Sequence, residues 1–369
     1  MKNNNISGSF RFPLIPAVME LRSNVDYIYG FPLGMHLFPM ESPFKPKLVA
    51  EFYVGNKFNL PTSMKHVFGP YFVDERGEII YAERKLVETK HMREALKLRC
   101  FAHITRNNLK FIVNNLYIKL IRFQLGDWLP PGIHFFDLIQ SNLLLNGMSI
   151  LHSACISSDE DSILILAKPN TGKTSTTFYL ALNYGLYLIS EDLTVVDGDG
   201  FAYSCPYTST FFNNQVITNE ILERGWLSGR DRIRLMLNKL LPPIPLLSSF
   251  GSRPPSPYRV LHKIPMKQYA KIKKIVFLER ERNCNESIED IDKEVAFKKL
   301  LTLNRAELRY YRDPILVALS YCNEEYDIEK LLLMESKILH SLINNTKQCY
   351  LAKAYSVQSF VKLIKTLLN

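Results

Sequence analysis

The chain has no apolar run long enough to span a bilayer. Its first ten residues, MKNNNISGSF, lack the apolar core of a secretory signal. A cytoplasmic protein with no membrane partner is therefore the expectation. Of its six cysteines, Cys100, Cys155, Cys205, Cys284, Cys322 and Cys349, no two form a CxxC pair. That spacing argues against a zinc site and against a dense disulfide framework, and leaves reduced, mostly buried thiols. Internal repeats and low-complexity tracts are also missing. What remains is an ordinary globular composition, 47% hydrophobic and 22% charged, in 369 residues, enough for two packed domains.

Acids are scarce in one place. Between Arg224 and Lys274 there are 12 Lys or Arg and a single acid, Asp231. That segment carries the whole excess of the chain's +10 net charge. A local basic patch attracts an acidic peptide, a phosphorylated small molecule or nucleic acid, or is simply a solvated surface. Seven prolines lie in the same stretch, Pro242 to Pro265, so it reads as an extended loop or lid and not as regular helix. Aromatics there are sparse, which gives little support to a stacking platform for nucleic acid.

Residues 162–174, SILILAKPNTGKT, carry the most chemistry. Ile163 to Leu166 reads as a buried strand and Ser175 to Asn183 as a helix. Between them lies Ala167-Lys168-Pro169-Asn170-Thr171-Gly172-Lys173-Thr174, a Walker A phosphate loop of the form [AG]-x4-G-K-[ST]. Its backbone N–H groups form a concave anion site, and the helix N-terminus adds positive potential. Ala167, Asn170, Thr171, Gly172, Lys173, Thr174 and Ser175 are the expected nucleotide contacts. Lys173 reaches the β- and γ-phosphates, and the Thr174 hydroxyl ligates Mg²⁺. The bland alternative is a Gly-Lys-Thr turn that caps a helix.

Two further features fall nearby. Tyr187 to Val196 reads as one buried strand, and within it Glu191 and Asp192 are costly unless something satisfies them. One of the two can hold Mg²⁺, while the other takes a proton from a substrate hydroxyl or positions a nucleophile. Alternatively the pair caps an exposed strand end. His152 lies on an expected strand, Ser149 to Ile156, that hairpins back into the loop strand. It is either a site residue or a satisfied core histidine.

The rest sorts into two parts. Short strand-like runs fill 1–126: Tyr27 to Phe31, Leu48 to Val54, Glu78 to Tyr81, Leu109 to Val113 and Leu116 to Phe123. Ala82 to Leu98 is read as a helix among them. Residues 127–132, DWLPPG, form the expected linker. From 133 to 369 an α/β domain follows, with 224–274 as its lid or insertion. Its expected elements are a helix from Phe135 to Asn146, a turn at Asp197-Gly198-Asp199-Gly200 and a returning strand to Cys205. Helices follow at 219–224, 231–240, 294–302, 313–321 and 326–343, with strands at 274–279 and 348–355 and a closing helix at 356–368.

Taken together, His152, the hairpin, the loop, Asn183-Tyr184-Gly185 and Leu188-Ile189-Ser190-Glu191-Asp192 resemble the catalytic domain of the HPr kinase/phosphorylase family. The resemblance is closer to the family's stand-alone serine kinase-like relatives, some encoded beside peptide-modification genes. Val276-Phe277-Leu278-Glu279-Arg280 and the closing strand and helix are similar too. It implies a P-loop kinase domain of the HPr kinase/phosphoenolpyruvate carboxykinase type, preceded by a small strand-rich α+β domain. It also implies ATP and Mg²⁺ as cofactors, Glu191 as catalytic base and Asp192 as metal ligand, with His152 and Lys173 in the catalytic set. Arg230, Arg232, Arg253 and Arg259 are candidates for the substrate site. The acceptor would be a hydroxyl of an acidic peptide, protein or small molecule, and a homo-oligomer is admitted. Two other functions stay open: a non-catalytic ATP-binding module that recruits an acidic partner, and a polynucleotide or tRNA kinase.

Overall fold

The computed structural model describes residues 12–15, 19–25, 27–28, 31–32, 47–85, 97–120, 129, 131–159, 161–205, 215–233, 263–282 and 285–368. The chain divides into two compact units, Met1–Gly147 with Arg309–Glu335 and Met148–Leu308 with Ser336–Asn369. No helix among the described residues is long and apolar enough to cross a membrane.

The first unit is built on an eight-stranded sheet. Its strands are β1 (Phe12–Ile15), β2 (Met19–Ser23), β5 (Leu48–Val54), β6 (Met64–Phe68), β7 (Tyr71–Asp74), β8 (Ile79–Lys85), β9 (Lys97–Thr105) and β10 (Asn108–Val113), in the order β1-β2-β5-β10-β9-β8-β7-β6. A separate pair, β3 (Tyr27–Ile28) and β4 (Phe31–Pro32), folds the first aromatic run back on itself. Apolar residues alternate along the strands, with Leu48, Ala50 and Phe52 and then Leu109, Phe111 and Val113 fully buried. That period of two buries one face of the sheet. Helix α2 (Pro131–Leu145) packs on β5 and β10, with the Phe135 ring 5.4 Å from Phe52 and 6.3 Å from Phe111.

Several expectations are corrected in this unit. Pro131 and Gly132 begin α2, where a linker was expected, because Pro suits the first helical position. Since 14 of the helix's 15 residues are buried and it packs on this sheet, the units part after Gly147 and not at 127–132. Residues 82–85 and 97–98 are strand and not helix: β8 and β9 pair antiparallel, Ala82 opposite Cys100, and Glu83 bridges Lys97 at 3.0 Å and Arg99 at 2.9 Å. The part of that expected helix from 86 to 96 lies outside the described residues. The run Leu116 to Phe123 begins as helix α1 (Asn115–Leu120), because the Asn114 side chain accepts the Tyr117 N–H at 3.1 Å and caps it.

A polar cluster sits in the core of this unit. His134 Nδ1 lies 2.5 Å from Asp313 Oδ2, and Asp313 Oδ1 caps helix α6 (Pro314–Cys322) by accepting two backbone N–H groups. Burial pushes the Asp137 carboxyl well above its ordinary range, and Asp313 adds repulsion and a hydrogen bond to the protonated form. At pH values between the ordinary carboxylate pKa and the raised native one, Asp137 carries a proton when folded that it releases on unfolding. Stability present at low pH is lost as pH climbs from the usual carboxylate value, about 4, through the raised native value. Urea melts of the native chain should fall across that window by up to about 1.4 kcal/mol per pH unit, and Asp137→Asn should flatten the slope. Identical slopes for the two proteins would refute this account.

The second unit has two sheets. The six-stranded sheet runs β14-β12-β13-β18-β20-β19, using β12 (Ser153–Ser157), β13 (Ser162–Ala167), β14 (Tyr187–Ser190), β18 (Lys274–Arg280), β19 (Ser287–Asp290) and β20 (Gln348–Ala354). At its centre β13, β18 and β20 are parallel, and β13 is apolar and buried along its length. The four-stranded sheet runs β11-β15-β16-β17, using β11 (Met148–Leu151), β15 (Thr194–Asp197), β16 (Phe201–Ser204) and β17 (Tyr269–Lys271). Helix α3 (Lys173–Tyr184) follows β13, α4 (Gln215–Glu223) follows later, and α5 (Lys293–Glu307), α7 (Ile328–Asn345) and α8 (Val357–Thr366) come near the end. Ala296 and Leu300 of α5, with Leu339, Leu342 and Ile343 of α7, close a core over Leu164, Leu166, Ile275 and Phe277.

Two expected strands are each broken here. Ser149 to Ile156 is β11 and β12, parted at His152, and Tyr187 to Val196 is β14 and β15, parted at Glu191-Asp192-Leu193. The two runs cross between the sheets at matching positions and in opposite directions, the first from small to large and the second from large to small, since β12 pairs with β14 and β11 with β15. The turn at 197–200 and its returning strand are found, with β15 pairing β16. Residues 229–233 are helical, while 234–262, most of the basic proline-rich segment, lie outside the described residues.

Candidate active site

The loop after β13 owes its shape to two left-handed residues. Asn170 has φ 63° and Gly172 φ 112°, and alternating backbone handedness turns successive N–H groups inward. A Cβ at Gly172 would also lie 3.1 Å from Val357 Cγ2, so the backbone demands glycine and the space beside it is tight. The Gly172 carbonyl accepts the Thr176 N–H at 2.9 Å, and Lys173 starts α3. Lys168, Pro169 and Asn170 are exposed, whereas Ala167, Thr171, Lys173 and Ser175 are buried.

Lys173 is drawn toward the acid pair. Its Nζ donates to the Asp192 carbonyl at 3.0 Å and lies 3.4 Å from Asp192 Oδ1. Burial lowers its pKa, while Asp192, Glu191 and Glu307 pull it back up. His152 Nε2 stands 3.2 Å from Asp192 Oδ1, and its Nδ1 lies 3.9 Å from Glu307 Oε2. The paired sheet crossings explain this convergence. A continuous strand would send Glu191 and Asp192 to opposite faces, whereas the break frees both to turn inward. The Thr194 hydroxyl holds the corner, within 2.5 Å of Ser190 Oγ and donating to the Ser153 carbonyl at 3.0 Å.

Glu191 is 3% exposed, and neither of its carboxylate oxygens makes a hydrogen bond of ordinary geometry among the described residues. Burial raises its pKa to about 8, the Asp192 charge adding to the rise, while Lys173 and the nearby Thr174 hydroxyl oppose it. A buried acid without a partner is costly. Among the described residues no group of three or more His, Cys, Asp or Glu is arranged to hold a metal ion. A Mg²⁺ carried in on phosphates needs only one or two protein ligands, and Thr174 and Asp192 are of the right hard-oxygen type.

The structure brings Lys173, Glu191, Asp192 and His152 together. Arg230 and Arg232 are exposed and make no hydrogen bond or ion pair with these four, and Arg253 and Arg259 lie outside the described residues. Asn304 and Glu307 were missed. Asn304, 1% exposed on α5, accepts the His152 backbone N–H at 3.1 Å and donates to the Ile150 carbonyl at 3.3 Å, fixing the strand break. The reading of 294–302 ended this helix one turn short of them; the observed helix runs to Glu307.

No protein-family model matches the chain, and no curated protein matches it. Among solved structures, it has a distant likeness to the HPr(Ser) kinase/phosphatase from Coxiella burnetii. That likeness has 10% sequence identity and a TM-score of 0.19, over 44% of this chain and 94% of that one.

Proposed function

We propose that the chain is an HPr kinase-like phosphotransferase that moves the γ-phosphoryl group of ATP to a hydroxyl, on a serine of a peptide or protein or on a small molecule. The observation that carries this reading is Glu191. A carboxylate buried without a partner, beside a loop of phosphate-binding form and a lysine held by acids, marks a place where a ligand supplies what is missing. Ala167, Asn170, Thr171, Gly172, Lys173, Thr174 and Ser175 would cradle the phosphates. Thr174 and Asp192 would hold Mg²⁺, whose charge offsets that of the phosphoryl oxygens. His152 orients Asp192. Glu191 takes the acceptor's hydroxyl proton as its oxygen bonds to the γ-phosphorus, and ADP leaves with the bridging oxygen.

One observation favours a second reading, an ATP-binding module that recruits an acidic partner. A carboxyl with a pKa of about 8 is mostly protonated at neutral pH and is then no base. Mass spectrometry separates the two. The chain is incubated with MgATP and fractionated lysate peptides or metabolites, and gain of a phosphoryl group by any hydroxyl supports the kinase. ATP binding with no such product across the fractions supports the module.

A further inference from the structure

Beside the loop lies a cavity that none of these roles uses. β13 and β18 run parallel with Ala167 opposite Leu278, so Lys168 and Glu279 are the next residues on adjoining strands, at their carboxyl ends. A crevice outside the carboxyl ends of parallel strands is where open α/β sheets take ligands. Here α5 closes one side, leaving about 290 Å³ with Phe277 and Leu303 among its apolar lining and Lys168, Lys298, Lys299 and Thr302 at its polar edge. Lys299 is pinned to Glu279 at 2.6 Å. Lys168 and Lys298 have no acidic partner among the described residues. The lining thus keeps two uncompensated positive charges.

The cavity and the catalytic groups share one helix. Lys299, Leu303 and Glu307 recur every four residues and fall on one face of α5. Leu303 stands about 6 Å along the axis from Glu307, which itself lies against His152. A ligand seated against Leu303 is therefore about one helical turn from Glu307, the residue of this face that meets His152. Because the loop already supplies the nucleotide's phosphate contacts, this second anion site is left for the other reactant.

We propose that the cavity between Lys168 and the α5 lysines binds an anionic group, a carboxylate or phosphate, of the acceptor and so sets its hydroxyl toward Glu191. The inference rests on the phosphotransferase reading only in calling that ligand the acceptor. A probe that needs no knowledge of the acceptor tests it. Pyridoxal 5′-phosphate, an anionic aldehyde, condenses with lysine amines, and borohydride reduction fixes the adduct for peptide mapping.

Lys298 should be modified about tenfold faster by pyridoxal 5′-phosphate than by pyridoxal, which lacks the phosphate, since paired charges at a low-dielectric wall concentrate anions. Exposed Lys362 should show no such preference. Saturating MgATP should leave Lys298 labelling intact, and Thr302→Trp, which fills the cavity from an exposed helical position, should erase the preference. Lys298 behaving like Lys362 would overturn the proposal. So would protection of Lys298 by MgATP, which would give the cavity to the nucleotide. Failure of MgATP to slow labelling of Lys173 counts separately, against the nucleotide reading itself.

Discussion

Lys173→Ala abolishes the binding heat of MgATP in a calorimetric titration where the native chain gives a clear isotherm. Among the described residues, Lys173 is the ammonium that pairs with the acids beside the loop, and it is buried. Removing it takes a charge from the phosphates and also strands Asp192 and Glu191 beside each other without a cation. Truncating one partner of a buried charge pair costs about 3 kcal/mol, or about a hundredfold in affinity. A thermal melt run alongside shows that the variant is folded. Unchanged affinity in a folded variant would mean that nucleotide does not sit on this loop, and the kinase reading would fall with it.

Glu191→Gln separates chemistry from binding. The amide keeps the side chain's size and removes only its capacity to take a proton. MgATP affinity should stay within about threefold, while transfer falls by about a hundredfold or more, the usual contribution of a positioned base. The pH dependence has a definite sign. A base works deprotonated, so kcat/KM should rise with pH through about 8, where the structure puts the group. In kcat the same limb should fall at lower pH, because bound Mg²⁺ favours the carboxylate form. A variant with undiminished transfer would remove Glu191 from the reaction and leave Asp192 as the acid to test.

What could be read from the sequence follows the range of the interactions. The strand, loop and helix over 162–184 were legible because an apolar run, a glycine and a helical stretch are local signals. The hairpin from β12 to β13 and the turn at 197–200 were legible for the same reason. The sheet crossings were not. Both runs, Ser149 to Ile156 and Tyr187 to Val196, are apolar on either side of the break, and nothing within them says that each half pairs in a different sheet. That decision is made by partners such as Thr194 and Ser153, 41 residues apart, and, at His152, by Asn304 at a separation of 152. The buried His134, Asp137 and Asp313 set was equally out of reach, since its members meet across a separation of 179 residues.

The path of the chain between its units has a consequence of another kind. It leaves the first unit after Gly147, returns at Arg309 and leaves again after Glu335. Three junctions, and not one, would have to be matched to transplant either unit. A fragment ending at Gly147 keeps His134 but loses Asp313, and one beginning at Met148 carries 309–335 without its sheet. Neither unit, then, is a cassette that a single recombination could have added or removed.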